Sequence, residues 1–191
     1  MIRAIIFDCF GVLYSGSLEH LVRLSPAEKR RDVLDINSQK DYGFITYQDY
    51  VEQVGEIIQH TPEQVDEIIR KQHVRNVELV EFARRLRETY MIGMLSNVGE
   101  QMMEGLFPST EQAELFDEVL LSYKEGLAKP NPAIFTLMAE RMGLSPGECV
   151  MIDDLESNCD GAEIAGMQSI QHITNSRTRE LLLAMLEADR A

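Results

Sequence analysis

The stretch Ala4-Ile5-Ile6-Phe7-Asp8-Cys9-Phe10-Gly11-Val12-Leu13 decides how this chain reads. Residues 4–7 are apolar at every position, the pattern of a strand buried on both faces rather than one wetted on alternate sides. The run ends at a lone aspartate, and Gly11 follows closely. Further along, Met91–Leu95 ends in Ser96-Asn97, and Cys149–Ile152 ends in Asp153-Asp154. Between them Lys129 precedes Pro130. Taken singly, Asp8, Ser96, Asn97 and Lys129 fit ordinary turn chemistry. Two adjacent carboxylates at the end of a buried strand do not, because they repel each other and resist desolvation unless a cation pairs them.

Working outward from these runs, Glu118–Leu121 reads as a short strand and Ser169–Ile173 as a last one. Helical signals separate them. Ser25-Pro26-Ala27-Glu28 combines an N-cap, a first-turn proline and a capping-box glutamate. Thr46 precedes the apolar stripe Tyr47, Tyr50, Val51, Val54 and Ile58, and Thr61-Pro62-Glu63-Gln64 precedes Val65, Ile68 and Ile69. Residues 76–88 continue helically, Asn131-Pro132 opens another helix, Gly166 ends one, and Leu181–Leu186 reads as a C-terminal amphipathic helix. Strands alternating with helices imply an α/β fold with a Rossmann-like parallel sheet and right-handed crossovers. Residues 1–14 and 87–191 form its core, and the helical stretch 15–86 reads as an inserted all-helical cap. The polar residues follow strands directly, and the ligand crevice of such sheets lies at those carboxyl ends.

Composition sets the outer limits. The chain has 191 residues, 45% of them hydrophobic, enough for one substantial core. A formal net charge of -14 opposes nucleic acid and anionic membranes as partners. Cys9, Cys149 and Cys159 lack metal-ligand spacing and make no disulfide framework. Residues 1–7 are too short for a signal peptide, and no apolar run is long enough to span a bilayer, so the expected location is the cytoplasm. Oligomeric state is left open.

The combination is more specific than its parts. It resembles the haloacid dehalogenase-like hydrolases, most of which are phosphatases. The likeness lies in Ile5–Leu13, in Met94-Leu95-Ser96-Asn97, in the stretch from Ser122 through Lys129-Pro130-Asn131-Pro132 to Phe135, and in Met151–Ala162 with Ala165-Gly166-Met167. Gly43-Phe44-Ile45-Thr46 is similar to the family's helical cap. The resemblance implies Asp8 as a nucleophile that forms an aspartyl-phosphate. Ser96 and Asn97 would bind the phosphoryl oxygens, with Lys129 neutralising charge on both. Mg²⁺ would be held by Asp8, the carbonyl of Phe10, Asp153 and Asp154, as a hard cation among oxygen ligands. Asn158 would support these carboxylates. The substrate would be a small phosphorylated metabolite.

Phe10 departs from the pattern. Phosphatases of the family carry an aspartate there, which protonates the leaving oxygen and then activates water. General acid–base help of this kind is worth about two to four decades in rate. Three readings follow: a phosphatase that copes through a good leaving group, such as the anomeric oxygen of sugar 1-phosphates, or a substituted general acid; a 2-haloacid dehalogenase, whose halide leaves without a proton; or a binding protein of little turnover. The acidic pair Asp153-Asp154 favours the first, since the dehalogenases work without Mg²⁺.

Overall fold

The computed structural model describes residues 1–98 and 102–190. Five strands, β1 (Ala4–Phe7), β2 (Met91–Ser96), β3 (Glu118–Leu121), β4 (Cys149–Asp153) and β5 (Gln168–Gln171), form one sheet in the order β3-β2-β1-β4-β5. Every pairing is parallel. Helices α1 (Leu18–Leu24), α2 (Arg30–Asp41), α3 (Tyr47–Ile58), α4 (Pro62–Gln72) and α5 (Val77–Leu86) separate β1 from β2. Then come α6 (Met102–Leu106), α7 (Ser109–Leu115), α8 (Ser122–Glu125), α9 (Pro132–Arg141), α10 (Glu156–Ile164) and α11 (Asn175–Arg190). Among the described residues no helix is long and apolar enough to cross a membrane.

The topology explains why β1 is apolar throughout. It lies at the centre of the sheet, where Ile5 and Phe7 enter one packed cluster and Ala4 and Ile6 the opposite one. Residue Phe7 pairs with Met94 on β2 and Ile152 on β4, so the residues just beyond these strands share one edge. Asp8 therefore emerges at the edge that also carries Ser96 and Asp153.

A third cluster is built from the insertion alone, with Leu21, Val33, Ile36, Tyr50, Val54, Val65 and Ile69 at its centre. Two capping boxes set helix starts there: Thr46 with Asp49, and Thr61 with Gln64. Helix α5 behaves differently. Sequence groups it with the cap, yet Leu79, Val80, Phe82, Ala83 and Leu86 pack with Ile5 and Phe7 against the sheet. An amphipathic pattern shows that a helix has a buried face but not what that face meets. The Ser25 hydroxyl likewise departs from the expected cap: it donates to the Leu21 carbonyl at 2.7 Å, closing the end of α1. Helix α2 begins later, after a short 3₁₀ turn at Ala27–Lys29.

The two connections to the insertion run side by side. The Ser15 N–H donates to the Val74 carbonyl at 2.9 Å, and the Asn76 N–H to Leu13 at 2.9 Å. A polar seam holds the insertion against the sheet edge: Ser122 Oγ accepts from the Val98 N–H at 3.0 Å and donates to the carbonyl of Asp41 at the end of α2.

Candidate active site

Strand ends deliver the polar residues, and one lysine binds them together. Lys129 Nζ lies 2.8 Å from Asp8 Oδ1 and 2.6 Å from Asp153 Oδ2, with its side chain only 1% exposed. Burial alone would push this ammonium toward neutrality, but Asp153 and Asp8 outweigh it and hold its pKa above the ordinary lysine value. Asp8 is pulled the other way. Its burial raises its pKa, Lys129 opposes that rise, and Asp153 and Asp154 add to it. The Cys9 N–H donates to Asp8 Oδ1 at 2.6 Å and fixes the carboxylate's rotamer. Cys9 itself is buried, and its thiol pKa is raised, by burial first and by Asp8 second, so it packs as an inert side chain.

Asp153 is the most heavily bonded member. Besides Lys129 it accepts from the Leu155 N–H at 3.0 Å and from Asn158 Nδ2 at 2.8 Å. Its oxygens are thus committed to holding the lysine and the start of α10. Asp154 is half-buried, its pKa raised by burial and then by Asp153. Its carboxylate lies over Gly11, where an added Cβ would come within 2.3 Å of it. Gly11 has φ +89°, a conformation open to glycine at little cost. Asp8, Asp153 and Asp154 offer oxygens that all lie within 4.8 Å of one another, a set that suits a hard divalent cation. Without one, three carboxylates face a single ammonium.

Ser96 is fully buried, and its Oγ has no hydrogen-bond partner among the described residues. A buried hydroxyl without a partner costs about 1–3 kcal/mol, a cost that a ligand supplying an acceptor would offset. Asn97 makes a tie that the sequence did not reveal. Its Oδ1 accepts from the Lys129 N–H and its Nδ2 donates to the Lys129 carbonyl, both at 2.9 Å. Its amide secures the lysine's main chain.

Phe10 presents its ring to His73, with centroids 4.7 Å apart. His73 belongs to the wall of a cavity of about 380 Å³, with Tyr14, Tyr47, Asp66, Arg70 and Leu106. A cavity of similar size, about 370 Å³, lies among Tyr90, Met91 and Asp189, at the amino ends of the strands and away from this chemistry.

Sequence reasoning passed over His73, Lys40 and Asp41. Lys40 and Asp41 are both buried, at 5% and 9% exposure. A signal was available: Lys40 falls seven residues after Val33 and four after Ile36, on the stripe of α2 that packs inward.

The family profile of haloacid dehalogenase-like hydrolases matches residues 2–166. The chain belongs to the haloacid dehalogenase-like hydrolases. Within that family it is 23% identical to the D-ribitol-5-phosphate phosphatase of Bacteroides thetaiotaomicron, over 98% of this chain and 100% of that protein. A crystal structure of a family enzyme from the same organism, in complex with magnesium and inorganic phosphate, is similar with a TM-score of 0.75 at 25% identity. That match covers 92% of this chain and 96% of the other. The L-2-haloacid dehalogenase of Xanthobacter autotrophicus, with chloropropionic acid covalently bound, shares the fold with a TM-score of 0.64. Its identity is 16%, over 96% of this chain and 83% of that one.

Proposed function

We propose that this chain is a Mg²⁺-dependent hydrolase of small phosphomonoesters that works through an aspartyl-phosphate on Asp8. The observation that carries the reading is the Ser96 hydroxyl, buried and without a partner among the described residues, at the same strand edge as the Asp8–Lys129 pair. A phosphoryl group at Asp8 would give that hydroxyl its acceptor. Asp8 attacks phosphorus, and the P–O bond to the substrate breaks with its electron pair on the leaving alkoxide, which takes a proton from water. A second water then attacks the aspartyl-phosphate, releasing inorganic phosphate and restoring Asp8. Lys129, charged and fixed by Asp153, offsets negative charge on the transferring group. Asn97 keeps Lys129 in register. Asp154 and Asp8 would hold the metal with the Phe10 carbonyl, while Asp153, already engaged, orients its neighbours. Mg²⁺, when bound, supplies positive charge to the phosphoryl oxygens. We also place the cap at residues 15–76, since α5 packs on the sheet.

Phe10 carries no proton to give. Leaving alcohols of lower pKa are therefore favoured, such as the anomeric oxygen of sugar 1-phosphates, and turnover on esters of ordinary primary hydroxyls is slow. Relatives named D-ribitol-5-phosphate phosphatase and N-acylneuraminate-9-phosphatase support a phosphorylated carbohydrate as the substrate class. The dehalogenase reading is disfavoured by the carboxylate trio, which calls for a cation.

The test is a panel of aryl and alkyl phosphates with 2-chloropropionate, run with and without Mg²⁺ on the wild type and Asp8→Asn. Mg²⁺-dependent phosphate release that vanishes in Asp8→Asn is expected, because an amide is a poor nucleophile. Mg²⁺-independent chloride release without phosphate release would establish the dehalogenase instead. Silence on every substrate, with phosphate still bound, would leave a binding protein.

A further inference from the structure

The insertion joins the sheet through two stretches of backbone, and side chains grip them. The outgoing and returning linkers pair at Tyr14 and Arg75, flanked by the Ser15–Val74 and Asn76–Leu13 hydrogen bonds. Alone, such a ribbon would twist as a unit and carry the insertion with it, since a few residues at a hinge absorb a large rotation. The returning linker is tied to two core helices instead. Arg75 makes a two-pronged bond with Glu111 of α7: Nη1 donates to Oε2 at 3.0 Å and Nη2 to Oε1. The Asn76 amide pairs reciprocally with that of Asn175, the first residue of α11, at 2.8 and 2.9 Å.

The arginine is built in rather than laid on. Its guanidinium stands 5.1 Å from the centre of the Phe107 ring and 5.9 Å from that of Tyr14. These two rings meet edge-on at 5.2 Å. The Tyr14 hydroxyl donates to the Leu106 carbonyl at 2.7 Å. Arg75 and Glu111 are both half-buried. An exposed pair of flexible side chains would fix little. A planar fork held at both prongs and against two rings has one orientation. Arg84 of α5 also approaches Glu111, at 3.5 Å. That contact joins core to core, whereas Arg75 joins core to linker. Tyr14 and Leu106 line the 380 Å³ cavity from the core side, and Tyr47, Asp66 and His73 line it from the insertion. The angle of the insertion therefore sets the width of that cavity.

We infer that Arg75 and Glu111 are positioning residues: together they clamp the returning linker to α7 and hold the insertion at one angle over the crevice. They act through the linker and the Tyr14 wall, and their effect is on population. A ligand that needs the cavity at its clamped width binds less tightly in proportion to the fraction of time the insertion spends there. Once bound, it meets the same Asp8 and Lys129, so the chemical step is unchanged. The clamp goes beyond the phosphatase reading and holds whatever reaction the site performs.

Hydrogen exchange followed by NMR tests the clamp without turnover. In the wild type the Ser15 and Asn76 amides, which cross between the linkers, should exchange at least about a hundredfold more slowly than unstructured chain. Arg75→Met and Glu111→Gln should each lose at least about tenfold of that protection, while the Asp8 and Met91 amides inside the sheet keep theirs. The double variant should be no looser than either single one, because both remove the same interaction. Arg75→Lys should behave like Arg75→Met, since an ammonium cannot reproduce the fork. With phenyl phosphate and Mg²⁺, the variants should raise KM about tenfold and leave kcat within about twofold. Wild-type linker amides that exchange as fast as an open loop would overturn the inference, whether or not any variant folds. So would linker protection retained in both single variants, or protection lost equally at Asp8 and Met91, which would make the pair a support of the whole fold. A fall in kcat with KM unchanged, or full rescue by Arg75→Lys, would overturn it as well. No phosphate release from any of these proteins would end the phosphatase reading and leave the exchange rates to decide the clamp.

Discussion

The side chain of Asn97 and the main chain of Lys129 are joined at both ends, amide to peptide, by two hydrogen bonds of 2.9 Å. The lysine sits on a loop, where a main chain is otherwise free to drift. Here its position is set from the end of β2, so that Nζ meets Asp8 and Asp153 at once. Asn97→Ala should lower stability by about 1–3 kcal/mol, since two backbone groups lose their partners. It should reduce kcat more than it raises KM. Asn97→Asp should be no better, because a carboxylate cannot donate to the Lys129 carbonyl. Urea unfolding and steady-state kinetics check both effects. Full activity in Asn97→Ala would show that Lys129 needs no such support.

Ser96 gives the opposite signature. Its hydroxyl is buried without a partner among the described residues, so the folded protein without ligand gains nothing from it. Ser96→Ala should be neutral in stability or stabilising by about 1–2 kcal/mol. Affinity for inorganic phosphate should nevertheless fall about tenfold or more, the worth of a hydrogen bond to a charged acceptor. Thermal unfolding and phosphate titration by calorimetry measure the two quantities on one sample. Parallel loss of stability and affinity would mean that Ser96 is only a packing residue.

Most of the sheet was legible because β1 to β4 are largely apolar runs cut short by a polar or turn residue, whereas β5, Gln168–Gln171, is polar at three of its four positions and ends before the expected Ile173. Met91–Leu95 and Glu118–Leu121 were readable in this way. So were the starts of helices at Thr46, Thr61 and Asn131, where cap chemistry is local. The meeting of Asp8, Lys129 and Asp153 was legible for a different reason: parallel strands share a carboxyl edge. What sequence missed depends on distant partners. The face of α5 is clear from spacing, but the choice between cap and sheet is made by residues such as Ile5 and Phe7. The tie between the Asn97 amide and the Lys129 main chain joins residues 32 apart, which spacing does not reveal. Lys40 and Asp41 look like surface charges unless the inward stripe of α2 is followed to its end.

Gly11 should be far less replaceable than Gly16. A Cβ at Gly11 would stand 2.3 Å from the Asp154 carboxylate, on a backbone with φ +89°. At Gly16 the nearest atom would be Phe10 Cβ at 3.7 Å. Gly11→Ala should displace Asp154 and weaken Mg²⁺ binding by about 10–100-fold, as loss of a group that orients a metal ligand does. Gly16→Ala should bind Mg²⁺ like the wild type. Titration calorimetry with Mg²⁺ in the presence of phosphate compares them, and equal affinities would remove Asp154 from the metal site.

His73 should leave a signature in acid. Burial, reinforced by the charge of Lys40 and opposed by Asp66, lowers its pKa from 6.5 to about 4. The unfolded chain therefore takes up a proton near pH 6.5 that the folded protein refuses until about pH 4. The associated stability is complete above the unfolded value. It declines as pH falls through that interval and is fully lost once the folded value is passed. His73 keeps one side open to solvent, so screening limits the loss to no more than about 2 kcal/mol. His73→Phe retains an aromatic partner for Phe10 and has no proton to bind. Several carboxylates titrate in the same range, so the informative quantity is the difference between the two proteins. Urea unfolding at about pH 7.5 and about pH 5, in chelator to remove divalent cations, should show the wild type losing stability relative to His73→Phe as the pH drops. A difference that does not change with pH would mean that His73 is protonated as readily in the folded protein as in the unfolded chain.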